Sequence, residues 1–323
     1  MIATVTLNPS IDQHLLVRGL VKDDANRAHR IFRYPGGKGA NVSKVAHELG
    51  APTCAYALVG GFTGAYWKHL MQGLDIRYRA FPVKGDTRIN TILTDLADGT
   101  QTRVSAPGPS VPAARTRAFL RVLLKVRPRP FLWVLGGSLP QGMPASTCRM
   151  FIEALQAAGT PCILDADGDA LREGVRARPF LVKPNEFEMR RLAGRELCTA
   201  EEYFEAARNL VRRGVQNVIV SLGAEGALAV SRDEAFHLPG LDVPVKSKVG
   251  AGDSLIGGLA AGLWKGMTFR EAARVGLAAS ASAVMREAPR LCRRRDIAGL
   301  VRRVRARDFG GSRGVLTASA GKV

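Results

Sequence analysis

The sequence predicts an α/β protein, with a mainly parallel sheet doubly wound by helices on both faces and a small β-sheet lid. From residue 131 onward, apolar strand-like segments alternate with helical segments. That alternation is typical of a parallel sheet, because parallel strands need a crossover connection that is usually a helix. Two groups of shorter, more polar strands, at about residues 12–34 and 87–104, do not fit this rhythm. We therefore expect these two insertions to form the lid.

Glycine, proline and apolar spacing define the elements in the first half of the chain. The β-branched, alternating residues 2–8 predict the first strand, and the turn Asp98-Gly99 predicts a hairpin. The spacing of Val42, Val45 and Leu49 predicts a helix. The predicted strands are 2–8, 14–17, 27–34, 53–59, 87–96 and 101–104, and the predicted helices are 42–49, 63–72 and a segment ending at 124.

The second half of the chain alternates more regularly. The predicted strands are 131–135, 161–165, 180–182 and 217–221, and the predicted helices are 145–157, a short one near 170, 186–192 and 199–212. A hairpin then extends to 236, and a strand at about 241–245 leads into a glycine-rich turn and an apolar helix at 255–264. We expect one domain over residues 1–305 and a disordered tail at 306–323, where glycines are frequent and apolar periodicity is absent.

Composition limits the classes of function. Of the 323 residues 47 are basic and 28 are acidic, which gives a formal net charge of +19. The basic residues are dispersed and show no zinc-finger or RNP pattern, so we expect polyanionic substrates rather than specific nucleic-acid binding. The five cysteines form no C-x-x-C pair, which is typical of reduced core thiols in a cytoplasmic protein. We expect neither a signal peptide nor a membrane helix, because no stretch approaches roughly 20 apolar residues.

A glycine-rich turn at residues 249–254 stands just before the apolar helix. Glycine lets backbone N–H groups converge, and a helix N-terminus presents unpaired N–H donors to an anion such as a phosphate. An acid inside an anion site is unusual, which indicates that Asp253 accepts a proton from a hydroxyl that attacks a phosphate. An ordinary N-cap aspartate in a plain turn fits the local pattern equally well.

Two further turns carry polar groups suited to ligands. Gly36-Gly37-Lys38-Gly39 is not a P-loop, because glycine rather than serine or threonine follows the lysine. It suits a sugar or a sugar phosphate, or it is a plain strand-to-helix turn. Asn185-x-x-Glu188 begins a helix, where Glu188 is either an oxygen ligand for Mg²⁺ or the acid of a capping box.

Six motifs follow one another along the chain, and together they carry a resemblance to a known family. They are Asn8-Pro9-x-x-Asp12, Gly36-Gly37-Lys38-Gly39-x-Asn41, Gly137-Ser138-Leu139-Pro140, Lys183-Pro184-Asn185-x-x-Glu188, Ser221-Leu222-Gly223-x-x-Gly226 and Gly250-Ala251-Gly252-Asp253. Over about residues 2–305 the chain resembles the ribokinase-like sugar kinases of the PfkB type. The branch it resembles most holds 1-phosphofructokinase, tagatose-6-phosphate kinase and the minor bacterial 6-phosphofructokinase. The resemblance implies a ribokinase-like αβα fold with a β-lid, ATP and Mg²⁺ as cofactors, and a homodimer formed through the lids.

The resemblance also implies a role for each matching residue. Asp253 would be the catalytic base, and the N–H groups of Gly250, Ala251 and Gly252 would stabilise charge on the transferred phosphoryl group. Glu188 would bind Mg²⁺ through water. The residues expected to bind the sugar are Asp12, Gly37, Lys38, Gly39, Asn41 and Ser138. The residues expected to bind ATP are Lys183, Asn185, Ser221, Gly223 and Gly226.

Three arginines bear on the identity of the sugar: Arg27 and Arg88 in the lid strands, and Arg103 at the end of the hairpin. A guanidinium matches a phosphate by paired hydrogen bonds, so several near one pocket predict a substrate that already carries a phosphate. The alternative is that they are surface arginines in an arginine-rich protein.

Different motifs resemble enzymes that act on different phosphorylated sugars. Arg103 and the segment 290–292 resemble 6-phosphofructokinase, whereas Lys38 and the run 221–226 resemble 1-phosphofructokinase or tagatose-6-phosphate kinase. We expect conversion of fructose 6-phosphate to fructose 1,6-bisphosphate, with fructose 1-phosphate or tagatose 6-phosphate as alternative substrates. Lys248 stands where the family usually has threonine, so it either approaches the nucleotide phosphates or faces solvent.

A protein that is not an enzyme would also be compatible with this fold. A non-catalytic sensor of sugar phosphates or nucleotides would keep the binding residues and lose the base or the metal ligand. The sequence retains Asp253, Asn185 and Glu188, which favours the enzyme.

Overall fold

The computed structural model describes residues 1–287 and 290–309. The strands are β1 (Ile2–Thr6), β2 (Ser10–Val17), β3 (Arg30–Gly36), β4 (Thr53–Gly60), β5 (Tyr78–Val83), β6 (Arg88–Asp95), β7 (Gln101–Val104), β8 (Leu132–Gly136), β9 (Cys162–Asp165), β10 (Leu181–Val182), β11 (Asn217–Ser221), β12 (Ala227–Ser231), β13 (Ala235–Leu238) and β14 (Arg307–Asp308). The α-helices are α1 (Lys38–Glu48), α2 (Gly61–Gln72), α3 (Ala113–Leu124), α4 (Ser146–Ala157), α5 (Gly168–Arg176), α6 (Glu186–Ala193), α7 (Ala200–Arg212), α8 (Ala251–Trp264), α9 (Phe269–Val284) and α10 (Arg294–Arg303).

The main sheet has the strand order β14-β13-β12-β11-β10-β9-β8-β1-β4-β5. The strands from β11 to β5 pair in parallel, and β12 to β14 continue the sheet as antiparallel strands. Parallel strands with helices on both sides are buried on both faces, and all 8 residues of β4 are buried. The predicted doubly wound, mainly parallel sheet is therefore confirmed.

Helices cover both faces of this sheet because successive strand residues point to opposite sides. Ala3 and Val5 of β1 belong to the apolar core shared with α3 to α7, whereas Ile2 belongs to the core shared with α1, α8, α9 and α10. Helix α2 buries Trp67 and Met71 against β4. The arrangement leaves the carboxyl edge of the parallel strands free to carry loops.

A second sheet, with the strand order β3-β2-β6-β7, forms the lid. Strand β2 pairs with β6 in parallel and with β3 in antiparallel orientation, and β6 and β7 form the predicted hairpin. The register places Asp12 between Tyr34 and Asn90, so these three residues share one face of the lid. The two polar insertions thus form a separate small sheet, as their sequence predicted.

Several segments differ from the expectation, among them β5 and residues 241–245. Strand β5 was not predicted, because it pairs only with β4 at the edge of the sheet and its half-exposed residues lack a clear alternation. A free edge also tolerates Pro82, which has no N–H to donate. Residues 241–245, predicted as a strand, have no regular structure. Pro244 interrupts this segment, and β14 occupies the position next to β13.

The folded part of the chain extends beyond residue 305, into the predicted tail. Arg307 pairs with His237, and the ring of Phe309 stacks on that of Phe204 with 4.4 Å between centroids. The remainder of the predicted tail, 310–323, lies outside the described residues.

Most of the cysteines lie in the core. Four of the five cysteines are buried free thiols, as expected, whereas Cys198 is exposed and is not a core thiol. Among the described residues, no helix combines the length and the apolar character needed to cross a membrane.

Candidate active site

A cleft of about 760 Å³ lies between the lid and the carboxyl edge of the main sheet. This edge is where ligands bind in doubly wound folds, because the turns that follow several parallel strands meet there. The cleft brings together most of the predicted site residues. These are Asp12, Gly37, Lys38, Asn41, Arg88, Arg103, Ser138, Lys183, Asn185, Glu188, Ser221, Gly250, Gly252 and Asp253.

Helix α8 begins in this cleft with Gly250 as its N-cap. Gly250 has a left-handed backbone (φ 79°), which glycine adopts without strain. The Ala251 amide reaches the Lys248 carbonyl only at 3.4 Å, and the amides of Gly252 and Asp253 find no backbone acceptor in the described part of the chain. These donors stand at the positive end of the helix, so they are suited to stabilise an anion.

Asp253 is not the N-cap of α8. It follows Gly250 by three positions, and its Oδ2 accepts a 2.7 Å hydrogen bond from Asn41 Nδ2. Burial and then the nearby Asp165 raise the pKa of Asp253, against the opposing effect of Lys38. The ordinary N-cap interpretation is therefore wrong, and a carboxylate whose pKa is raised is the better proton acceptor.

Two lysines share one buried carboxylate beside this turn. Asp165 Oδ1, at the end of β9, lies 3.1 Å from Lys38 Nζ and 3.4 Å from Lys183 Nζ. Burial alone would raise the pKa of Asp165, but Lys183 and Lys38 outweigh it and lower that pKa. Burial likewise acts to lower the pKa of Lys38, but Asp165 and Asp253 outweigh it and raise that pKa. One carboxylate and two ammonium groups leave a net positive charge next to the amides of α8.

Asn185 and Glu188 form a capping box at the start of α6. Glu188 donates its amide to Asn185 Oδ1 at 2.8 Å, and Asn185 donates its amide to Glu188 Oε2 at 2.8 Å. The capping interpretation is correct, and both residues also line the cleft. Glu188 Oε1 takes no part in the capping box, so it remains able to face a ligand. Burial raises the pKa of Glu188, against the opposing effect of Lys183 and Lys38.

Asp12 is oriented by two neighbours on the cleft face of the lid. Ser10 Oγ donates to Asp12 Oδ1 at 2.7 Å, and Asn90 Nδ2 donates to the same oxygen at 3.0 Å. Both bonds use Oδ1, which leaves Oδ2 to accept from a ligand hydroxyl. The geometry fits the sugar-binding role that the resemblance implies.

Arg88 and Arg103 bring two cations to the lid end of the cleft, and Arg27 does not join them. Arg88 Nη1 and Nη2 donate to the carbonyls of Ala106 and Asn8 at 2.9 and 3.0 Å, which fixes the guanidinium group. Burial lowers the pKa of Arg88, Asp12 opposes this, and Arg103 lowers it further. No salt bridge engages Arg88 or Arg103 within the described residues. Arg27 is exposed between β2 and β3, outside this cleft.

Gly39, Gly223, Gly226 and Ala251 do not line the cleft either. A Cβ at Gly39 would lie 2.7 Å from the Val5 carbonyl oxygen, so this glycine serves the close approach of α1 to β1. A Cβ at Gly226 would lie 2.0 Å from the Leu238 carbonyl oxygen, so it serves the packing of the hairpin. For Gly39 and Gly226, close backbone packing therefore accounts for the glycine.

Comparison with known proteins decides the family. A model of the pfkB family of carbohydrate kinases matches residues 5–295. The chain belongs to the pfkB family. It is 33% identical to the 1-phosphofructokinase of Bacillus subtilis over 287 residues, which are 89% of this chain and 93% of that protein.

The solved structures agree with this family. Phosphofructokinase-2 from Escherichia coli, in complex with fructose-6-phosphate, superposes with a TM-score of 0.88 at 30% identity, over 94% of this chain and 98% of that one. Ribokinase from Thermotoga maritima shares the fold, with a TM-score of 0.75 at 22% identity over 93% of this chain and 99% of that one. The predicted family and the ribokinase-like fold are both confirmed.

Several residues in the cleft of this pfkB kinase were not predicted. Asp165 and Asp167 follow the apolar part of a predicted strand, so polar residues at a strand end would have been the signal. Ser10 lies two positions before Asp12 in β2 and so shares its face, but the predicted strand began only at residue 14. Asn90 gave no signal, because only the register of β2 and β6 brings it to Asp12. The unpredicted lining residues are Asn8, Ser10, Asn90, Ser105, Gly137, Asp165, Asp167 and Val249.

Lys248 is the residue that departs from the family pattern. In this pfkB kinase it is exposed, and it lines the cleft beside Gly250. It therefore adds a further cation at the end of the cleft where the α8 amides lie.

Proposed function

We propose that this protein transfers the γ-phosphoryl group of ATP to fructose 6-phosphate, which gives fructose 1,6-bisphosphate and ADP. The observation that carries the proposal is the position of Asp253. Its carboxylate lies at the N-terminus of α8, in one cleft with Lys38 at the start of α1, Lys183 after β10, and Arg88 and Arg103 on the lid. A base between two separate cationic regions suits a reaction between two phosphorylated molecules.

The proposed chemistry uses the geometry of α8 directly. Asp253 takes the proton of the sugar hydroxyl as that oxygen bonds to the γ-phosphorus, and the bond from that phosphorus to the oxygen bridging to ADP breaks. The free amides at the start of α8 stabilise the charge on the transferred group. Lys38 and Lys183 add positive charge on the same side, while Ser221 and Asn185 line the adjoining part of the cleft.

A magnesium ion fits the phosphate end of the cleft. Buried Asp165 Oδ2 has no hydrogen-bond partner among the described residues, and Glu188 Oε1 lies outside the capping box. Hard oxygen atoms are the ligands that Mg²⁺ prefers, and this ion usually retains waters and binds substrate phosphates as well. When bound, it would neutralise charge on the ATP phosphates. No cluster of three or more metal-binding side chains occurs in residues 1–287 and 290–309, which agrees with an ion held largely by ATP and water.

The two lid arginines support a substrate that already carries a phosphate. The Arg88 guanidinium is held by two carbonyls, and Arg103 is exposed in the same cleft without an acidic partner in the described structure. A phosphate monoester complements this pair. Asp12 Oδ2 is placed to accept a hydrogen bond from a hydroxyl of the same sugar.

Fructose 1-phosphate is the second candidate substrate. The 33% identity to a 1-phosphofructokinase favours it, whereas the similarity to a structure containing fructose-6-phosphate favours the first. Both substrates give the same bisphosphate. Tagatose 6-phosphate differs from fructose 6-phosphate in one hydroxyl configuration and is the third substrate to be tested.

We also propose that two copies of the chain associate through the lids. Ile31, Ile89 and Val104 are exposed, and the strand register places all three on the lid face opposite to Asp12. An exposed apolar face on a four-stranded sheet is suited to a protein interface. Sedimentation of wild type and of Val104→Lys tests this, because a dimer formed through this face should weaken in the variant.

A coupled assay of ADP formation tests the proposed activity. Wild-type protein is given ATP and Mg²⁺ with fructose 6-phosphate, fructose 1-phosphate or tagatose 6-phosphate, and kcat/KM is compared. We expect the highest kcat/KM with fructose 6-phosphate. A higher value with fructose 1-phosphate would transfer the proposal to that sugar, and binding without turnover of all three would indicate a sensor.

A further inference from the structure

Asn41 stands between the proposed base and a lysine that lies behind it. Asn41 Nδ2 donates to Asp253 Oδ2 at 2.7 Å, and Lys44 Nζ donates to Asn41 Oδ1 at 2.9 Å. Lys44 Nζ also donates to the carbonyl of Pro35 in the lid strand β3. Two side chains of α1, Lys44 and Asn41, therefore connect the lid with the base.

The chemistry of the lysine decides which way the Asn41 amide faces. An ammonium group has three donors and no acceptor, so only the oxygen of the amide can face it. The NH₂ group must then face Asp253, where an ionised carboxylate can only accept. In the opposite orientation both contacts would be unfavourable. Lys44 thus fixes an orientation that a free asparagine could reverse.

We propose that Lys44 is a positioning residue, which holds the Asn41 amide so that its NH₂ group binds Asp253 Oδ2 and leaves Oδ1 for the substrate hydroxyl. This inference rests on the proposed function of Asp253 as a base. It assigns Asn41 to the base, which differs from the sugar-binding role that the family resemblance implies.

The surroundings of Lys44 favour this arrangement. The charged groups that act on it in the described structure are Asp12 from β2 and Asp253 from α8. Burial lowers the pKa of Lys44 to about 8, and these two carboxylates oppose the decrease. Near neutral pH the side chain therefore remains largely charged, while above pH 8 the charge that orients Asn41 is lost.

Substitution of Lys44 tests the proposal, with a second lysine as a matched control. Lys265 Nζ also donates to a backbone carbonyl next to α1, that of Leu49, but at the far end of this helix. We expect Lys44→Met to lower kcat about tenfold, a part of what a general base contributes, with KM for the sugar phosphate changed less than threefold. Lys44→Arg should restore most of the turnover, and Lys265→Met should leave it unchanged.

The pH profile separates positioning from a loss of structure. The Asn41 hydrogen bond lowers the pKa of Asp253, so its loss in Lys44→Met should move the acid limb of kcat to higher pH. Wild-type kcat with an unmoved acid limb in Lys44→Met would overturn the proposal. Equal losses in Lys44→Met and Lys44→Arg, with lower melting temperatures and no shift of the acid limb, would overturn it as well.

A second readout needs no turnover and no variant of Lys44. With ¹⁵N-asparagine labelling, the side-chain amide signal of Asn41 is identified by its absence in Asn41→Ala. In the wild type this signal should shift as the pH passes through about 8, where Lys44 loses its proton. A signal that stays constant at every pH up to alkaline unfolding would overturn the proposal. Failure of the kinase assay with all three sugars would instead overturn the proposed function, and the amide titration would still be informative.

Discussion

Asp165 Oδ1 lies within 3.4 Å of the Lys183 ammonium group, and both side chains are almost completely buried, at 1% and 4% exposure. The same oxygen is 3.1 Å from Lys38 Nζ. A buried carboxylate between two lysines holds both cations at the carboxyl edge of the sheet. The positive charge that would meet the ATP phosphates is thus built into the fold.

The Asp165 carboxylate should therefore contribute to stability. Asp165→Asn leaves two ammonium groups without their shared counter-charge, and loss of one partner of a buried ion pair costs about 3 kcal/mol or more. We expect urea unfolding to show a decrease of that order in the free energy of unfolding. Asp169→Asn is the control, because its pair with Arg172 is exposed and should contribute less than about 1 kcal/mol. Equal, small effects of both substitutions would show that the buried pair does not stabilise the protein.

The backbone of Gly250 sets the direction of the α8 amides, and Gly250→Ala should disturb it. A Cβ at this φ of 79° would also lie 2.4 Å from Leu291 Cδ2, so the Leu291 side chain or the start of the helix has to shift. We expect kcat to fall at least tenfold, since a displaced oxyanion donor costs about 10²–10³ when it is lost entirely.

Gly266→Ala is the matched control for Gly250. Gly266 also has a positive φ, 81°, yet a Cβ there would meet no atom within 4 Å, and it follows the far end of α8. It should lose about 1–2 kcal/mol of stability from backbone strain but keep its kcat. Similar kcat values in the two alanine variants would contradict the proposed use of the α8 amides.

Arg103 should bind the phosphate already present on the sugar. Arg103→Met removes a charge-assisted hydrogen bond, which contributes about 1.5–3 kcal/mol. We expect KM for fructose 6-phosphate to rise at least tenfold and KM for ATP to change less than twofold. Arg149→Met, on the exposed surface of α4 and paired with Glu153, should change neither constant. A rise confined to KM for ATP would place Arg103 at the nucleotide instead.

The raised pKa of Asp253 predicts a cost in stability that depends on pH. Between the ordinary value of 3.8 and the raised value, the folded protein binds more protons than the unfolded chain, so stability falls as the pH rises through this window. Asp253→Asn removes the ionisation. We expect this variant to melt at a higher temperature than the wild type at pH 7 and the difference to shrink as the pH falls. A lower melting temperature at pH 7 would show that Lys38 and Asn41 stabilise the ionised carboxylate by more than its burial costs.

Local sequence signals were sufficient for the layers of the fold and for the turn that holds Asp253. Strand–helix alternation revealed the parallel sheet, and the polarity of β2, β6 and β7 revealed the lid. Strand β5 was missed because an edge strand has a neighbour on one side only. Residues 241–245 were wrongly predicted as a strand, because β14 rather than this segment pairs with β13.

The contacts inside the site likewise depend on which distant segments of the chain the fold brings together. The sequence separates Asn41 from Asp253 by 212 positions, and no local pattern shows that Asn41 binds the base rather than a sugar. Asp165 appeared as the end of a strand, and only the assembled sheet shows that Lys38 and Lys183 converge on it. The position of Arg27, exposed and outside the cleft, likewise depends on the course of the loop between β2 and β3.

Turnover by Asp253→Asn tests the central claim most directly. The amide keeps the shape of the side chain and removes its ability to take a proton, so kcat with fructose 6-phosphate should fall about 10²- to 10⁴-fold. The dissociation constant of fructose 6-phosphate, measured by calorimetry, should stay within threefold of the wild-type value. A variant that binds the sugar normally and retains more than a tenth of the wild-type kcat would contradict the assignment of Asp253 as the base.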